Sequence, residues 1–262
     1  MIYIMGGTGF VGSAFTRLCL EREIQYEILT RENYDSFIGK TCDVFVYANG
    51  NSKKFLADRE ALSDFDASIK TVCASLHDFK FSKYVLCSSC DVYADYSHPA
   101  NNSETAAIEA GKISRYGFHK HVAEQFVRYE ADNYLIFRFG GFVGPGLKKN
   151  AIFDILNGGP LWLDTESELQ FLHIDVAADR VWRLMENGIA NETINLCGNG
   201  LVKLREVIAR VGCEVPVERN SPKVIYNINI EKALEYFPLP STRDTVFKFV
   251  DDWLKKHGKT HG

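Results

Sequence analysis

Three glycines spaced three apart, directly after the first apolar run, constrain this chain more than any other feature. The stretch IYIMGGTGFVG places Gly6, Gly9 and Gly12 where a short buried strand (residues 2–5) gives way to a helix over residues 12–23. Each position has a physical reason. Gly6 permits the tight turn, Gly9 lets a pyrophosphate approach the backbone, and Gly12 lets the helix pack close to the sheet. The N–H groups of the helix start, with Phe10 and Val11 among them, face phosphate oxygens at the positive end of the helix dipole. Such a turn after a first strand predicts a dinucleotide site in a parallel α/β sheet.

The rest of the chain keeps that rhythm. Short apolar runs at residues 26–30, 43–48, 84–89 and 134–139 alternate with amphipathic stretches at 64–78 and 116–131. Near-continuous apolar strands separated by helical segments are the pattern of a sheet buried on both faces. After GFVGPG (141–146) the texture changes. A helix over 151–157 stops at Gly158-Gly159-Pro160, a strand is expected over 168–174 and another at 192–197, and helices are expected over 176–187, 204–211 and 245–257. The expected fold is therefore α/β, a doubly wound parallel sheet over residues 1–145. Residues 146–262 form mainly a smaller substrate lobe, of which 168–187 pack back on the first domain.

Composition narrows the function. The chain has 262 residues, a net charge of −4 and no basic run, so nucleic acid is not an expected partner. No apolar run reaches the roughly 18 residues of a membrane span, and the start lacks a basic leader, so a cytoplasmic location and no membrane partner are expected. The seven cysteines, at 19, 42, 73, 87, 90, 197 and 213, are scattered and odd in number. That suits reduced thiols, and no second ligand pair accompanies Cys87 and Cys90, so no metal is expected.

A second motif lies in SRYGFHK (114–120). Tyr116 and Lys120 are four apart at the start of an expected helix, so they share a face one turn apart. An ammonium beside the phenol favours the ionised form and lowers a pKa that is otherwise about 10. Such a phenol can donate a proton to a carbonyl. At the end of the second strand, YEILTREN offers Arg31 first, then Glu32. An arginine suits the 2′-phosphate of NADP, which is the expected cofactor. NAD is the alternative, because an arginine also stacks on adenine.

With these two motifs in order, the chain resembles the extended short-chain dehydrogenases/reductases, the NAD-dependent epimerase/dehydratase family of nucleotide-sugar enzymes, which has a Rossmann-like fold. GGTGFVG is similar to its cofactor loop and DVFVYANG (43–50) to its fourth-strand signature, where Ala48, Asn49 and Gly50 would line the cofactor. YVLCSSCDVY (84–93) resembles its fifth strand, and YGFHKHVAEQ (116–125) its Tyr-Lys helix. FRFGGFVGPG and FLHIDVAADRV (171–181) are similar to later landmarks. By this resemblance Tyr116 is the general acid/base, and Lys120 lowers its pKa and holds the nicotinamide ribose. Ser89 polarises the reacting carbonyl, Gly140 lies against the cofactor, and Ser89 with Asp91 contacts the substrate. The family often pairs through two helices per subunit, which here are those over 64–78 and 116–131, so a homodimer is expected.

Departures from the family bear on the substrate. Gly141 stands where an asparagine is usual, Leu169 and Gln170 where an arginine grips a diphosphate, His119 where a serine precedes the lysine, and Asp66 where an asparagine approaches the cofactor. Lys148 and Lys149 could supply the missing positive charge. The short interval before DVFVYA, with Asp35 inside it, resembles the deoxysugar 4-keto reductase branch more than the galactose epimerases. The expected reaction is reduction of a nucleotide-linked 4-keto-hexose. Epimerisation is the alternative, and a non-catalytic dinucleotide sensor or scaffold is the alternative of another class. Dehydration fits less well, because Ser89 is followed by Cys90 and Asp91 rather than by an Asp-Glu pair.

Overall fold

The computed structural model describes residues 1–50 and 54–258. Strand β1 (Ile2–Met5) turns into α1 (Phe10–Glu21), followed by β2 (Tyr26–Leu29), the single turn α2 (Tyr34–Phe37) and β3 (Thr41–Tyr47). Helices α3 (Lys54–Arg59) and α4 (Ala61–Phe65) lead through a π-helical turn (Asp66–Lys70) into α5 (Thr71–Asp78). Then come β4 (Lys80–Ser89), α6 (Arg115–Glu130) and β5 (Tyr134–Phe139). The remainder comprises β6 (Gly141–Val143), α7 (Ala151–Leu156), β7 (Glu168–Leu169), β8 (Phe171–His173), α8 (Ile174–Glu186), β9 (Glu192–Leu196), β10 (Val202–Lys203), α9 (Leu204–Val211), α10 (Glu231–Tyr236) and α11 (Thr242–Lys256).

Six strands form one parallel, Rossmann-like sheet in the order β2-β1-β3-β4-β5-β9. Successive side chains in a strand point to opposite faces, and both faces are covered. Ile2, Ile4, Val46, Val85, Leu135, Phe137 and Ile194 enter one core, on which α1 and α8 pack. Tyr3, Phe45, Tyr47, Tyr84, Leu86 and Ile136 enter the other, under α5 and α6. Phe45 and Phe137 are each 0% exposed, and burying a side chain of that size contributes about 1.5–3 kcal/mol. A third core, with Ile152, Leu161, Phe171, Val207 and Val250, unites α7, β8, α9 and α11.

The order reverses between β1 and β3: β1 continues to β2 on one side, while β3 starts the run towards β9 on the other. Ligands of open α/β sheets bind outside the carboxyl ends of the strands at such a switch point. The short α2 explains the reversal's economy, since four residues of helix carry the chain from β2 across to β3.

Two expected elements differ in detail. The helix over 64–78 is interrupted by the π turn, because the Tyr47 hydroxyl, reaching up from β3, donates to the Ala67 carbonyl at 3.1 Å. The Thr71 hydroxyl takes the same carbonyl at 2.9 Å. A side chain that competes for a helix carbonyl opens the ladder locally. The strand over 168–174 is two strands, β7 pairing with β10 and β8 with β6. Between them Gln170, 2% exposed, donates to the Gly198 and Ile228 carbonyls at 3.0 and 3.2 Å and accepts from the Ile228 N–H at 2.8 Å. Its amide does there what a ladder would do.

Candidate active site

The glycine turn builds one wall of the crevice. Gly6 has φ +82°, in the left-handed region that glycine enters without strain. A Cβ on Gly12 would lie 2.1 Å from the Gly6 carbonyl oxygen, so α1 can start here only without a side chain. A Cβ on Gly6 would lie 2.9 Å from the Asn49 nitrogen, so this turn and Ala48–Asn49 are in direct backbone contact. α1 therefore begins at Phe10, two residues before the expected start, with Gly9 as its first cap.

The opposite wall comes from β4 and α6. Ser89 ends β4, and the Ser114 hydroxyl caps α6 by accepting from the Gly117 N–H at 3.1 Å. That cap fixes Tyr116 in the first turn and Lys120 one turn on. Gly117 is what lets the helix come so close: a Cβ there would lie 2.0 Å from the Asp91 carbonyl oxygen. Tyr116 is half-buried and hydrogen-bonds Ser89, while the Lys120 ammonium sits 6.0 Å from the Tyr116 ring centre. Lys120 is 6% exposed and donates to the Cys87 carbonyl at 3.3 Å. The same ammonium stands 3.2 Å from where a Gly50 Cβ would be. Ser89, Tyr116, Lys120 and Gly50 thus meet at the carboxyl edge of the sheet.

The electrostatics correct one expectation. Lys120 does not dominate the phenol. Burial pushes the Tyr116 pKa above its ordinary value, the Asp91 charge adds to the rise, and the Ser89 hydrogen bond only partly opposes them. Burial also lowers the pKa of Lys120, against the pull of Cys87, Asp64, Glu124 and Asp91. The Ser68 hydroxyl on the π turn is buried without a partner among the described residues and lies 4.0 Å from the Gly50 Cβ position. Asp66, on the same turn, is exposed and lies 3.7 Å from the Lys70 ammonium. A buried orphan hydroxyl, a desolvated ammonium and a glycine that leaves room between them fit the hydroxyls of a dinucleotide ribose.

Asp91 is the centre of the substrate side. It accepts from the Ser89 hydroxyl at 2.9 Å and from the Lys54 ammonium at 2.7 Å. Beside it opens a cavity of about 510 Å³, lined in part by Lys54, Asp91, Tyr96, Lys112, Leu169 and Tyr226. Tyr96 and Tyr226 stack with ring centres 5.2 Å apart. Burial and then the Asp91 charge push the Tyr226 pKa well up, with smaller upward contributions from Cys90, Cys197 and Tyr116.

Sequence reasoning missed Tyr226, Tyr96, Lys54 and Gly117. A glycine in the first turns of a helix was a readable signal, whereas Tyr226 reaches the site from more than a hundred residues beyond Tyr116 and carries no local mark. Lys148 and Lys149 are exposed on the loop whose Gly146 approaches Phe10, outside the cavity lining. Arg31 is exposed just beyond β2. Gly140 lies against the Cys197 thiol, 2.7 Å from its Cβ position. Burial pushes the Cys87 thiol up to about 12 and Cys90 well above its ordinary value, which leaves both unreactive as thiolates. Among the described residues no group of three or more His, Cys, Asp or Glu could hold a metal ion, and no helix is long and apolar enough to cross a membrane.

Behind the site a buried ion pair ties α6 to the sheet. Glu124, 0% exposed, accepts from Arg138 of β5 at 3.0 and 2.7 Å and from the Ser88 hydroxyl at 2.6 Å. Arg138 also donates to the Tyr93 hydroxyl at 2.8 Å. Beside Lys120, His119 and Asp64 form a second buried pair at 2.5 Å.

A parallel sheet with its glycine turn at the switch point, and a Ser-Tyr-Lys cluster facing it, define a dinucleotide-dependent oxidoreductase architecture. The model of the NAD dependent epimerase/dehydratase family matches residues 67–197, 131 of the chain's 262 residues. The chain belongs to that family and is an NAD(P)-dependent enzyme of the extended short-chain dehydrogenase/reductase type. No curated protein matches the sequence. Solved structures share the fold across nearly the whole chain at low identity. Pal from Bacillus thuringiensis is 19% identical with a TM-score of 0.76, covering 98% of this chain and 99% of that one. A UDP-glucose 4-epimerase from Thermotoga maritima, solved with UDP-glucose, is 16% identical with a TM-score of 0.79 and the same coverage. RMD from Pseudomonas aeruginosa, complexed with NADPH, is 18% identical with a TM-score of 0.77, covering 97% and 99%.

Proposed function

We propose that this enzyme reduces the 4-keto group of a nucleotide-linked hexose, using NADPH in preference to NADH. The observation that carries the reading is the meeting of Ser89, Tyr116 and Lys120 beside Gly50 at the crevice. A bound nicotinamide dinucleotide would supply the hydride. Gly6, Gly9, Phe10, Val11 and Gly12 would hold its pyrophosphate, Ala48, Asn49, Gly50 and Gly140 would line it, and Arg31 would meet its adenosine 2′-phosphate.

The chain's own groups do the rest. Ser89 hydrogen-bonds the carbonyl oxygen, Tyr116 gives its proton to that oxygen as it becomes an alkoxide, and Lys120 holds the ribose hydroxyls and offsets negative charge at the phenol. A phenol whose pKa is raised keeps its proton at neutral pH, so Tyr116 enters the reductive step in its protonated form. The lobe after residue 145, with Leu169, Val224 and Tyr226, closes the substrate cavity.

Epimerisation of the same sugar is the second reading, favoured by the fold shared with a UDP-glucose 4-epimerase. The further readings from the sequence are a homodimer and a reducing, cytoplasmic setting. Phe65 of α4, within the expected 64–78 helix, and Phe118 of α6 are 43% and 41% exposed, with ring centres 6.0 and 6.1 Å from that of His119. Seven free cysteines suit the setting.

The test is to purify the protein, denature it, identify any released dinucleotide, and titrate the emptied protein with NADPH and NADH. An empty protein that prefers NADPH is the expected result. Co-purifying NAD would favour the epimerase, and failure to bind either would overturn both readings.

A further inference from the structure

We infer that the Asp91 carboxylate and the Tyr226 ring form a subsite for a primary ammonium group, so that the substrate carries an amino substituent near its reacting carbon. This rests on the reading that the cavity beside Ser89 and Tyr116 takes the substrate.

The subsite already holds an ammonium, that of the chain's own Lys54. Its Nζ lies 2.7 Å from Asp91 and 6.0 Å from the centre of the Tyr226 ring. A carboxylate opposite the face of an aromatic ring is the usual chemistry of ammonium recognition. The carboxylate is built into the fold: its side chain is 12% exposed, and the Asp91 N–H donates to the Ser89 oxygen at 3.2 Å, a contact that remains when the Ser89 proton turns to the substrate carbonyl. The ring is fixed too, stacked on Tyr96 at 5.2 Å, with the Asn227 N–H donating to the Tyr96 carbonyl at 2.7 Å.

The present occupant is loosely held. Lys54 is 62% exposed and starts a helix of only six residues, and an exposed ion pair contributes little to stability. The only other lysine in the lining among the described residues, Lys112, is 68% exposed and engaged by Glu109 at 2.6 Å. The cavity therefore presents one carboxylate and the tyrosines Tyr93, Tyr96 and Tyr226, with Ile113, Leu163, Leu169 and Val224 as its apolar lining. A ligand ammonium entering from the Ser89 side would displace Lys54 and lie closer to the ring than the 6.0 Å that the tethered side chain reaches.

The full-length protein, wild type and variants, is titrated by calorimetry with glucosamine and glucose, and with UDP-glucosamine and UDP-glucose. Wild type is expected to bind each amino form about tenfold or more tightly than its hydroxyl partner, as a hydrogen bond to a charged group requires. Asp91→Asn should abolish that preference. Lys54→Met, which removes the competitor and keeps the stem, should increase it, and this second variant keeps the test decisive if Asp91→Asn fails to fold. Equal binding of amino and hydroxyl forms by wild type, including no binding of either, overturns the inference. So does a Lys54→Met variant that binds the amino forms more weakly. UDP-linked sugars that bind no better than free ones would sink the nucleotide-linked reading alone, and the Asp91-dependent amino preference would stand.

Discussion

Replacing Glu124 by alanine should be among the most damaging single changes in this protein, although Glu124 touches no ligand. The carboxylate is 0% exposed and pairs with Arg138, which is itself 2% exposed. Removing it leaves a guanidinium in the interior with only the Tyr93 hydroxyl at 2.8 Å, and it strips the Ser88 hydroxyl of its acceptor. Breaking a buried pair by deleting one partner costs about 3–5 kcal/mol. At roughly 2–4 °C of melting temperature per kcal/mol for a chain of this size, that is a fall of about 6–20 °C. Removing both charges together should cost less, since the double variant Glu124→Leu/Arg138→Met leaves no buried charge unpaired and only the Ser88 hydroxyl without its acceptor. Urea unfolding followed by circular dichroism measures Glu124→Ala, the singles Glu124→Leu and Arg138→Met, and the double variant against wild type. A single-variant cost below about 1 kcal/mol, or a double-variant cost equal to the sum of the singles, would refute the reasoning.

Further outcomes follow from the same geometry. Burial pushes the Glu124 pKa up, but the Arg138 hydrogen bonds and charge, Ser88 and Arg128 outweigh it and hold the pKa below the ordinary carboxylate value. Its ionisation therefore stabilises the fold fully above the unfolded value of about 4.3. That advantage over Glu124→Gln should be constant at neutral pH and vanish as the pH falls through the lowered folded value, as stability curves measured across acid pH will show. Gly117→Ala puts a Cβ 2.0 Å from the Asp91 carbonyl oxygen. It should push Tyr116 away from Ser89 and cut turnover by about a hundredfold, with dinucleotide affinity, read by fluorescence titration, changed far less. Arg31→Ala should weaken NADPH binding by about tenfold or more and NADH binding little, because a charge-assisted contact to phosphate is lost. Equal losses for both cofactors would remove Arg31 from the 2′-phosphate.

Much of this was legible in the sequence, because the deciding signals were local. The glycine triplet, the short continuous apolar runs and the Tyr116–Lys120 spacing each act within a few residues, and the structure brings the glycine turn and the Tyr-Lys pair to one edge of the sheet those runs form. Strand β5 and helix α9 begin and end where the pattern of residues 134–139 and 204–211 puts them. What the sequence hid was long-range. Nothing near residue 226 says that a ring from the lobe will stack on Tyr96, and nothing near residue 54 says that its ammonium will reach Asp91. The π turn was hidden for the same reason, since its cause, the Tyr47 hydroxyl, lies twenty residues from Ala67. The Tyr116 pKa failed as an expectation because an (i, i+4) argument sees the lysine and cannot see the burial or the Asp91 charge beside it.

The most direct test of the central claim is deuterium transfer. The protein is incubated with NADPH carrying deuterium on the transferred position and with a nucleotide-linked 4-keto-hexose, and the product is weighed by mass spectrometry. Wild type should place one deuterium on the sugar carbon, while Tyr116→Phe binds NADPH as tightly and transfers almost none. A wild-type product without the label, or an equally labelled product from Tyr116→Phe, would contradict the account.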